Sequence, residues 1–239
     1  MGLSWLERFA ESIAEVAGEV VKKDVMKGSE RLGLRPTSSQ RAKWIRGAIE
    51  RLSALVDEET RKRIMINTCP HTYPRKRIEK LRKQYRQLGS IDKLLEIMYN
   101  DKSYGGASYY DCPQRKGDTV YITKVPCNPK SYQKAKTRLE RKLAYCHCPW
   151  ARAVLKTQEK VSPIFCYCSV SWDKQLWEGI LEKPVKIEII KSLLNGDNCC
   201  VHAFRLPQDV LQRHVPKYAC AYAIEHRKKL IRNKMICSV

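Results

Sequence analysis

The chain of 239 residues has no long apolar run and no excess of acidic residues. A helix that spans a bilayer needs roughly 18 or more consecutive apolar residues, and no stretch of this sequence approaches that length. The first residues also lack a basic segment followed by an apolar core, which is the pattern of a secretory signal. We therefore expect a cytoplasmic protein that is not embedded in a membrane.

Signatures of nucleotide binding and of specific DNA recognition are missing as well. The sequence contains neither G-x-x-x-x-G-K nor G-x-G-x-x-G, the glycine patterns of loops that hold phosphates. It has no spacing typical of a helix-turn-helix or a zinc finger, and it has no repeat or low-complexity tract. Sequence-specific binding of nucleic acid is therefore not expected.

Positive charge, in contrast, is abundant and unevenly distributed. Lys and Arg number 46 against 25 Asp and Glu, which gives a net charge of +21. Residues 61–90 hold ten basic and one acidic side chain, whereas residues 1–60 hold ten of each. Such a block attracts anions in general, so Arg75 and Arg77 are candidate contacts to an anionic ligand. A solvated surface helix and a weak nucleic-acid site through residues 61–90 are the alternatives.

The spacing of apolar residues predicts a mixture of helices and strands. The predicted helices span residues 5–27, 39–56, 58–66, 74–86, 91–99, 130–143, 171–181 and 217–234. The predicted strands span residues 119–123, 185–189 and 200–206, the last two forming a hairpin. The expected fold is α+β, with a helical N-terminal module, 1–66, and a basic C-terminal helical tail, 208–239. Residues 67–207 would form a cysteine-rich domain in which helices pack on an antiparallel sheet around a small-molecule pocket.

The chain has eleven cysteines, an odd number. In a reducing compartment they are expected as thiols, metal ligands or catalytic groups rather than as disulfides. Two pairs stand out, Cys146-x-Cys148 and Cys166-x-Cys168, because residues two apart on a strand face the same side. Four thiols suffice for a tetrahedral zinc ion. An iron–sulfur cluster, a nucleophile and simple packing in the core are the alternatives.

Cys168 is the strongest candidate nucleophile. It precedes the helix predicted from Ser171, and the partial positive charge of a helix N-terminus lowers the pKa of a thiol. Cys166 lies two residues away and could share its ligand or proton. On one face of a predicted strand, Cys200 and His202 could form a thiol–imidazole pair, and His202 could also act as the base for Cys168. The acidic residues of the helix, Asp173 and Glu178, are interpreted as solvent-facing or capping residues.

Residues 165–207 resemble a known family in the order of their parts. A cysteine precedes a helix that contains Trp177-Glu178, Pro184-Val185 opens a strand, and Gly196-Asp197 is followed by a cysteine and Phe204. Together with YCHCPW at 145–150, this order resembles an uncharacterised prokaryotic cysteine-rich family related to the L-2-amino-thiazoline-4-carboxylic acid hydrolases. It is more remotely similar to ligand-binding domains of the 4-vinyl reductase type.

The resemblance carries expectations about fold and chemistry. Hydrolase relatives imply opening of a cyclic C–N bond in a sulfur heterocycle that carries a carboxylate. Reductase-type relatives imply ligand binding, sometimes with zinc at cysteines, and the matching positions here are Cys166, Cys168, and Cys199 or Cys200. The leading hypothesis is a cysteine-dependent or metal-assisted hydrolase of a small anionic, thiazoline-like substrate, and the alternative is a non-catalytic zinc-binding or ligand-sensing module.

The hypothesis assigns roles to ten residues. The candidate catalytic residues are Cys168, Cys166 and His202. The candidate ligand contacts are Cys200, Trp172, Trp177, Arg75 and Arg77. The candidate zinc ligands are Cys146, Cys148, Cys166 and Cys168.

Overall fold

Helices make up most of the computed structural model, which describes residues 4–33, 35–100 and 113–212. The α-helices are α1 Trp5–Ala17, α2 Glu19–Val25, α3 Ser38–Leu55, α4 Glu58–Asn67, α5 Arg75–Leu88, α6 Ile91–Asn100, α7 Pro129–Lys134, α8 Arg138–Tyr145, α9 Pro149–Thr157, α10 Val170–Leu181 and α11 Gln208–Gln212. Short 3-10 helices span Ser29–Leu32, Pro163–Ser169 and Leu193–Asn195. The strands are β1 Gln114–Lys116, β2 Thr119–Thr123, β3 Ile187–Lys191 and β4 Val201–Arg205. The α+β prediction is confirmed, and the predicted tail helix at 217–234 lies outside the described residues.

The first helix begins where the sequence predicts and ends earlier. The Ser4 hydroxyl accepts a hydrogen bond from the backbone N–H of Glu7 at 3.3 Å, and the Glu7 carboxylate accepts one from the backbone N–H of Ser4 at 2.6 Å. This reciprocal cap satisfies two amides that the first turn leaves without a helical partner. The prediction of one helix over 5–27 is wrong, because Gly18 adopts a φ of +90° and separates α1 from α2.

The described residues divide into two compact units, and each unit is assembled from separated segments of the chain. The first unit draws on residues 4–72, 146–172 and 194–196. The second unit draws on residues 73–145, 173–193 and 197–212. The predicted helical module at 1–66 therefore falls within the first unit, whereas residues from 67–207 contribute to both units.

Aromatic side chains form the centre of the first unit. The ring of Trp5 on α1 lies 5.2 Å from Phe9, 4.9 Å from Trp150 and 5.4 Å from Phe165, measured between ring centroids. Trp44 on α3 joins the same cluster at 6.4 Å from Trp150. Because aromatic rings bury large apolar areas, these contacts hold α1, α3, α9 and the 3-10 helix Pro163–Ser169 together.

The second unit contains an antiparallel sheet with the strand order β1-β2-β4-β3. The predicted strand at 119–123 is confirmed, and so is the hairpin formed by β3 and β4. The ring of Trp177 on α10 lies 4.8 Å from that of Phe204 on β4, so α10 packs on this face of the sheet. Within the described part of the chain, no helix has both the length and the apolar character needed to cross a membrane.

Candidate functional site

The register of the sheet brings several polar residues to the face that α10 covers. Ile122 on β2 is paired with His202 on β4. Two residues further along, the backbone N–H of Lys124 donates to the carbonyl of Cys200 at 3.0 Å. Paired residues and every second residue of a strand share one face. If this register continues past the ends of β2 and β4, Lys124 and Cys200 lie on the side of the sheet that bears His202.

A tyrosine hydroxyl completes the pairing of Lys124 with Cys200. The Tyr145 hydroxyl accepts a hydrogen bond from the backbone N–H of Cys200 at 3.2 Å and donates one to the carbonyl of Lys124. It therefore stands where a second direct bond between the strands would be in a regular antiparallel pair. The sheet is held slightly open at this end, next to the Cys200 side chain.

Asp173 on α10 forms a buried pair with His202. Nδ1 of the imidazole lies 2.6 Å from Oδ2 of the carboxylate, and each side chain is about 1% exposed. The other carboxylate oxygen, Oδ1 of Asp173, is buried with no hydrogen-bond partner. The interpretation of Asp173 as a solvent-facing or capping residue is wrong, because the α10 face that bears it packs on the sheet. Glu178 caps a backbone amide instead, accepting from the N–H of Val185 at 3.0 Å.

Burial controls the protonation of this site. Burial lowers the pKa of His202, the hydrogen bond to Asp173 opposes that change, and the charge of Lys124 adds to it. The imidazole is therefore neutral at pH 7. Burial also raises the pKa of the Cys200 thiol, although the positive charges of Lys124 and Lys142 act in the opposite direction.

Cys168 belongs to a different group of side chains, which lies in the first unit. Its thiol interacts with that of Cys69 through a hydrogen bond, and the Cys148 thiol is also close enough to interact with it. The hydrogen bond to Cys69, followed by burial, raises the pKa of Cys168 well above the usual value of a thiol. Cys69 is not among the residues predicted for the site, since its partners are far away along the chain.

The expected activation of Cys168 by a helix N-terminus is wrong. Cys168 lies inside the 3-10 helix Pro163–Ser169, which runs directly into α10. The N-terminus of this continuous helical segment is at Ser162, whose hydroxyl accepts from the backbone N–H of Ile164 at 3.4 Å. The amide groups around Cys168 are therefore not those of a helix N-terminus.

Neither C-x-C segment is a strand, so the expectation that the two thiols of each pair face the same side, as on a strand, is also wrong. The Cys148 sulfur caps α9 by accepting from the backbone N–H of Ala151 at 3.4 Å, and the Cys146 thiol donates to the carbonyl of Cys148 at 3.7 Å. Cys166 and Cys168 lie in a 3-10 helix, where three residues complete a turn, so residues two apart point in different directions.

No metal site is preformed in the described ranges. No three His, Cys, Asp or Glu side chains in them are grouped so that they could hold a metal ion, and the zinc site stays a prediction. Among the described cysteines, Cys199 is disulfide-bonded, contrary to the expectation of thiols throughout. The cysteines present as thiols are Cys69, Cys127, Cys146, Cys148, Cys166, Cys168 and Cys200.

The remaining predicted ligand contacts occupy varied environments. Trp177 is a core residue that packs on Phe204, and Trp172 is half-buried. Arg75 is exposed and pairs with Glu79 on the next turn at 3.2 Å. Arg77 is buried, with 7% exposure. Of the predicted site residues, Cys200 and His202 thus lie two residues apart at the start of β4, with Asp173 bonded to His202 and with Lys124 and Tyr145 next to Cys200.

Comparison with known proteins gives one match. Residues 131–211 match the model of DUF6144, a family of unknown function. The matched segment includes Tyr145, Asp173, Cys200 and His202, whereas Lys124 precedes it. No curated protein matches the chain, and no solved structure matches it.

Proposed function

We propose that this cytoplasmic protein hydrolyses a small anionic substrate, with Cys200 as nucleophile and His202 as general base. The observation that carries the proposal is the buried hydrogen bond between Asp173 and His202, on the sheet face that also bears Cys200. A thiol, an imidazole and an orienting carboxylate are the parts of a cysteine hydrolase. The substrate class, a cyclic C–N bond in a thiazoline-like acid, comes from the family resemblance.

The protonation states favour these roles. With Nδ1 as the donor to Asp173, Nε2 is the basic nitrogen of the neutral imidazole. A neutral imidazole can accept the thiol proton, which the thiol requires because burial keeps its pKa high. The positive charges of Lys124 and Lys142 stabilise the resulting thiolate, and they also attract the carboxylate of a substrate.

The proposed reaction has two steps. In the first, the Cys200 sulfur bonds to the ring carbon while its proton passes to His202, and the C–N bond breaks as the nitrogen leaves with that proton. In the second, water gives a proton to His202 and its oxygen attacks the same carbon. The carbon–sulfur bond then breaks, and the proton returns from His202 to restore the thiol.

Single-turnover trapping tests the proposal. The purified protein is incubated with a panel of cyclic thiazoline and lactam carboxylic acids, quenched in acid, and examined by mass spectrometry for an adduct on Cys200 and for opened product. We expect product from the wild type, none from Cys200→Ser, and an undiminished yield from Cys127→Ser, the matched change at an exposed cysteine. Product formation that survives Cys200→Ser, or a panel that yields neither adduct nor product, would contradict the proposal.

A second candidate is the zinc-binding module, and the convergence of thiols in the first unit favours it. Cys168 interacts there with two cysteines from separate parts of the sequence, Cys69 and Cys148. Clustered thiols resist ionisation because their negative charges repel, and a divalent cation relieves that repulsion as it displaces the protons. Zinc binding would also require these thiols to move to ligand positions, with Cys146 or Cys166 as a fourth ligand.

Elemental analysis of protein purified without added metal tests the second candidate. We expect about one zinc per chain, a lower melting temperature after chelation, and loss of the metal in the double variant Cys69→Ser/Cys168→Ser. The Cys127→Ser variant should retain the metal. Metal-free protein that takes up no zinc from solution, or an unchanged zinc content in the double variant, would contradict this assignment.

A further inference from the structure

Residues 127–145 of the second unit form a closed helical hairpin, here called the basic hairpin. It consists of α7 and α8, and its two ends are tied together by backbone hydrogen bonds. The N–H of Cys127 donates to the carbonyl of Tyr145 at 3.1 Å, and the N–H of Asn128 donates to that of Ala144 at 2.9 Å. The hairpin is therefore a defined structure and not an open loop.

Both helices of the basic hairpin are capped, and its two tyrosines pack together. The side chain of Asn128 accepts from the backbone N–H of Ser131 at 2.9 Å at the start of α7. At the start of α8, the carboxylate of Glu140 accepts from the backbone N–H groups of Lys136 and Thr137 at 2.8 and 3.0 Å. The rings of Tyr132 and Tyr145 lie 5.9 Å apart. These contacts fix the positions from which the charged side chains extend.

The charge of the basic hairpin is strongly one-sided. Its 19 residues include six Lys and Arg, and Glu140 is the single carboxylate, so the net charge is +5. The exposed cations are Lys130, Lys134, Lys136, Arg138 and Arg141. The helix α5 carries a similar excess of positive charge, with a net charge of +6 over its 14 residues. On α5, however, Arg77 is buried, and Arg75, Arg82 and Arg86 pair with the carboxylates of Glu79 and Glu182.

We propose that the basic hairpin binds the phosphate backbone of a nucleic-acid duplex. Five exposed cations on a short, fixed scaffold complement a regular row of phosphates. Tyr132 and Tyr145 are buried, so the hairpin offers no exposed aromatic ring on which the bases of a single strand would stack. It also exposes no large apolar side chain, which an amphipathic helix needs in order to insert into a membrane surface.

This mode of binding has a quantitative signature. Each phosphate that a cation neutralises adds about 0.9 to the slope of log affinity against log salt for duplex DNA, so five contacts give a slope of about −4 to −5. Affinity should therefore fall by roughly 250- to 1,000-fold between about 50 and 200 mM salt. Binding should be independent of sequence, because phosphates carry no sequence information.

Three variants with the same change in net charge locate the binding surface. The hairpin variant is Lys130→Gln/Lys134→Gln/Lys136→Gln. The α5 variant is Lys76→Gln/Lys80→Gln/Lys83→Gln. The control variant is Lys23→Gln/Lys43→Gln/Lys160→Gln, at exposed positions of the first unit. Binding of each to a fluorescent DNA duplex of about 20 base pairs, and to vesicles containing phosphatidylserine, is measured by anisotropy and by sedimentation over a range of salt concentrations. Melting temperatures establish that each variant is folded.

We expect the hairpin variant alone to lose at least tenfold in duplex affinity at low salt and to have a slope smaller by about 2 to 3. The α5 and control variants should change affinity by less than about threefold, the effect of net charge at a distance. Equal losses in the three variants would show that only net charge matters. A loss confined to the α5 variant, no binding of the wild type at low salt, or an effect of the hairpin variant on vesicles but not on the duplex would each overturn the proposal.

Discussion

Replacing the buried pair of Asp173 and His202 with apolar residues separates a functional role from a structural one. We consider Asp173→Ala, His202→Phe and the double variant that combines them. Alanine favours the helix in which Asp173 lies, and phenylalanine favours a strand such as β4. The larger Phe ring offsets part of the volume lost at Asp173, so the double variant should pack with little strain.

The structure sets the expected size of each effect. His202→Phe removes the partner of Oδ2 and leaves Asp173 with both carboxylate oxygens unbonded, since Oδ1 already has no partner. Because the carboxylate is about 1% exposed, the free energy of unfolding should fall by about 3 kcal/mol or more, since a buried group left without its hydrogen-bond partner costs about 1–3 kcal/mol and a charged group costs more. Asp173→Ala removes the acceptor for a buried ring nitrogen, which should lower the stability by about 1–3 kcal/mol.

The double variant should recover most of this loss. Replacement of a complete buried pair by apolar residues is often neutral or even stabilising, so we expect a free energy of unfolding within about 1 kcal/mol of the wild type or above it. A polar pair that can be removed without loss of stability is not needed to hold the fold. Its presence would then be explained by the chemistry proposed for Cys200 and His202, and the double variant should yield no product in the trapping assay.

Urea unfolding at about pH 7.5, above the ordinary pKa of histidine, measures these quantities. Each variant is followed by tryptophan fluorescence and by circular dichroism, and coincident transitions establish that a single unfolding step is observed. If the free energy of unfolding of His202→Phe falls by less than about 1 kcal/mol, the reasoning is refuted, because a change of that size is typical of a solvent-exposed pair. A double variant less stable than either single variant would show that the pair is structural.

Three other predictions follow from particular contacts. Burial lowers the pKa of His202 in the native state, so as pH falls this residue takes up a proton in the unfolded chain before it does so in the native state. The wild type should therefore lose stability relative to the double variant as pH falls below about 6.5, by up to about 1.4 kcal/mol per pH unit, which unfolding curves at several pH values would measure. A Cβ at Gly179 would clash with the side chain of Ile78, so Gly179→Ala should lower the free energy of unfolding by about 1–3 kcal/mol; adding Ile78→Ala should relieve the clash, and an unchanged melting temperature for Gly179→Ala would contradict this prediction. The raised pKa of Cys168 predicts that iodoacetamide modifies it more slowly than the exposed Cys127 at about pH 8, and mass spectrometry that finds Cys168 modified first would oppose this prediction.

Local patterns predicted most of the secondary structure because the residues that decide it are close together in sequence. The start of the first helix at Trp5 and the strand at 119–123 are examples in which the structure confirms the prediction. The misplaced end of α1 has the same origin, since apolar spacing continues past Gly18 and only its backbone conformation reveals the break. The strand β1 was not predicted, because Gln114–Lys116 is short and wholly polar.

Of the candidate site, the sequence predicted only the two residues at the start of the last strand. Cys200 and His202 are two residues apart, so strand periodicity alone places them on the same face. The partners of these residues come from α8, α10 and β2, and their identity depends on how these elements pack. No local signal distinguishes Asp173 from Glu178 on the same helix, although the first is buried against His202 and the second caps the backbone at Val185.

The thiols illustrate why residue type and spacing are weaker guides to chemistry than environment. In the sequence, Cys168 and Cys200 are equally plausible reactive cysteines, because the first precedes a predicted helix and the second lies two residues from His202. Burial raises the pKa of both thiols. The charged groups around them nevertheless differ, because Cys69 and Cys148 oppose a negative charge on Cys168, whereas Lys124 and Lys142 favour a negative charge on Cys200 and only Asp197 opposes it. This difference in local charge is the reason for assigning nucleophilic chemistry to Cys200 and metal binding to the cluster that contains Cys168.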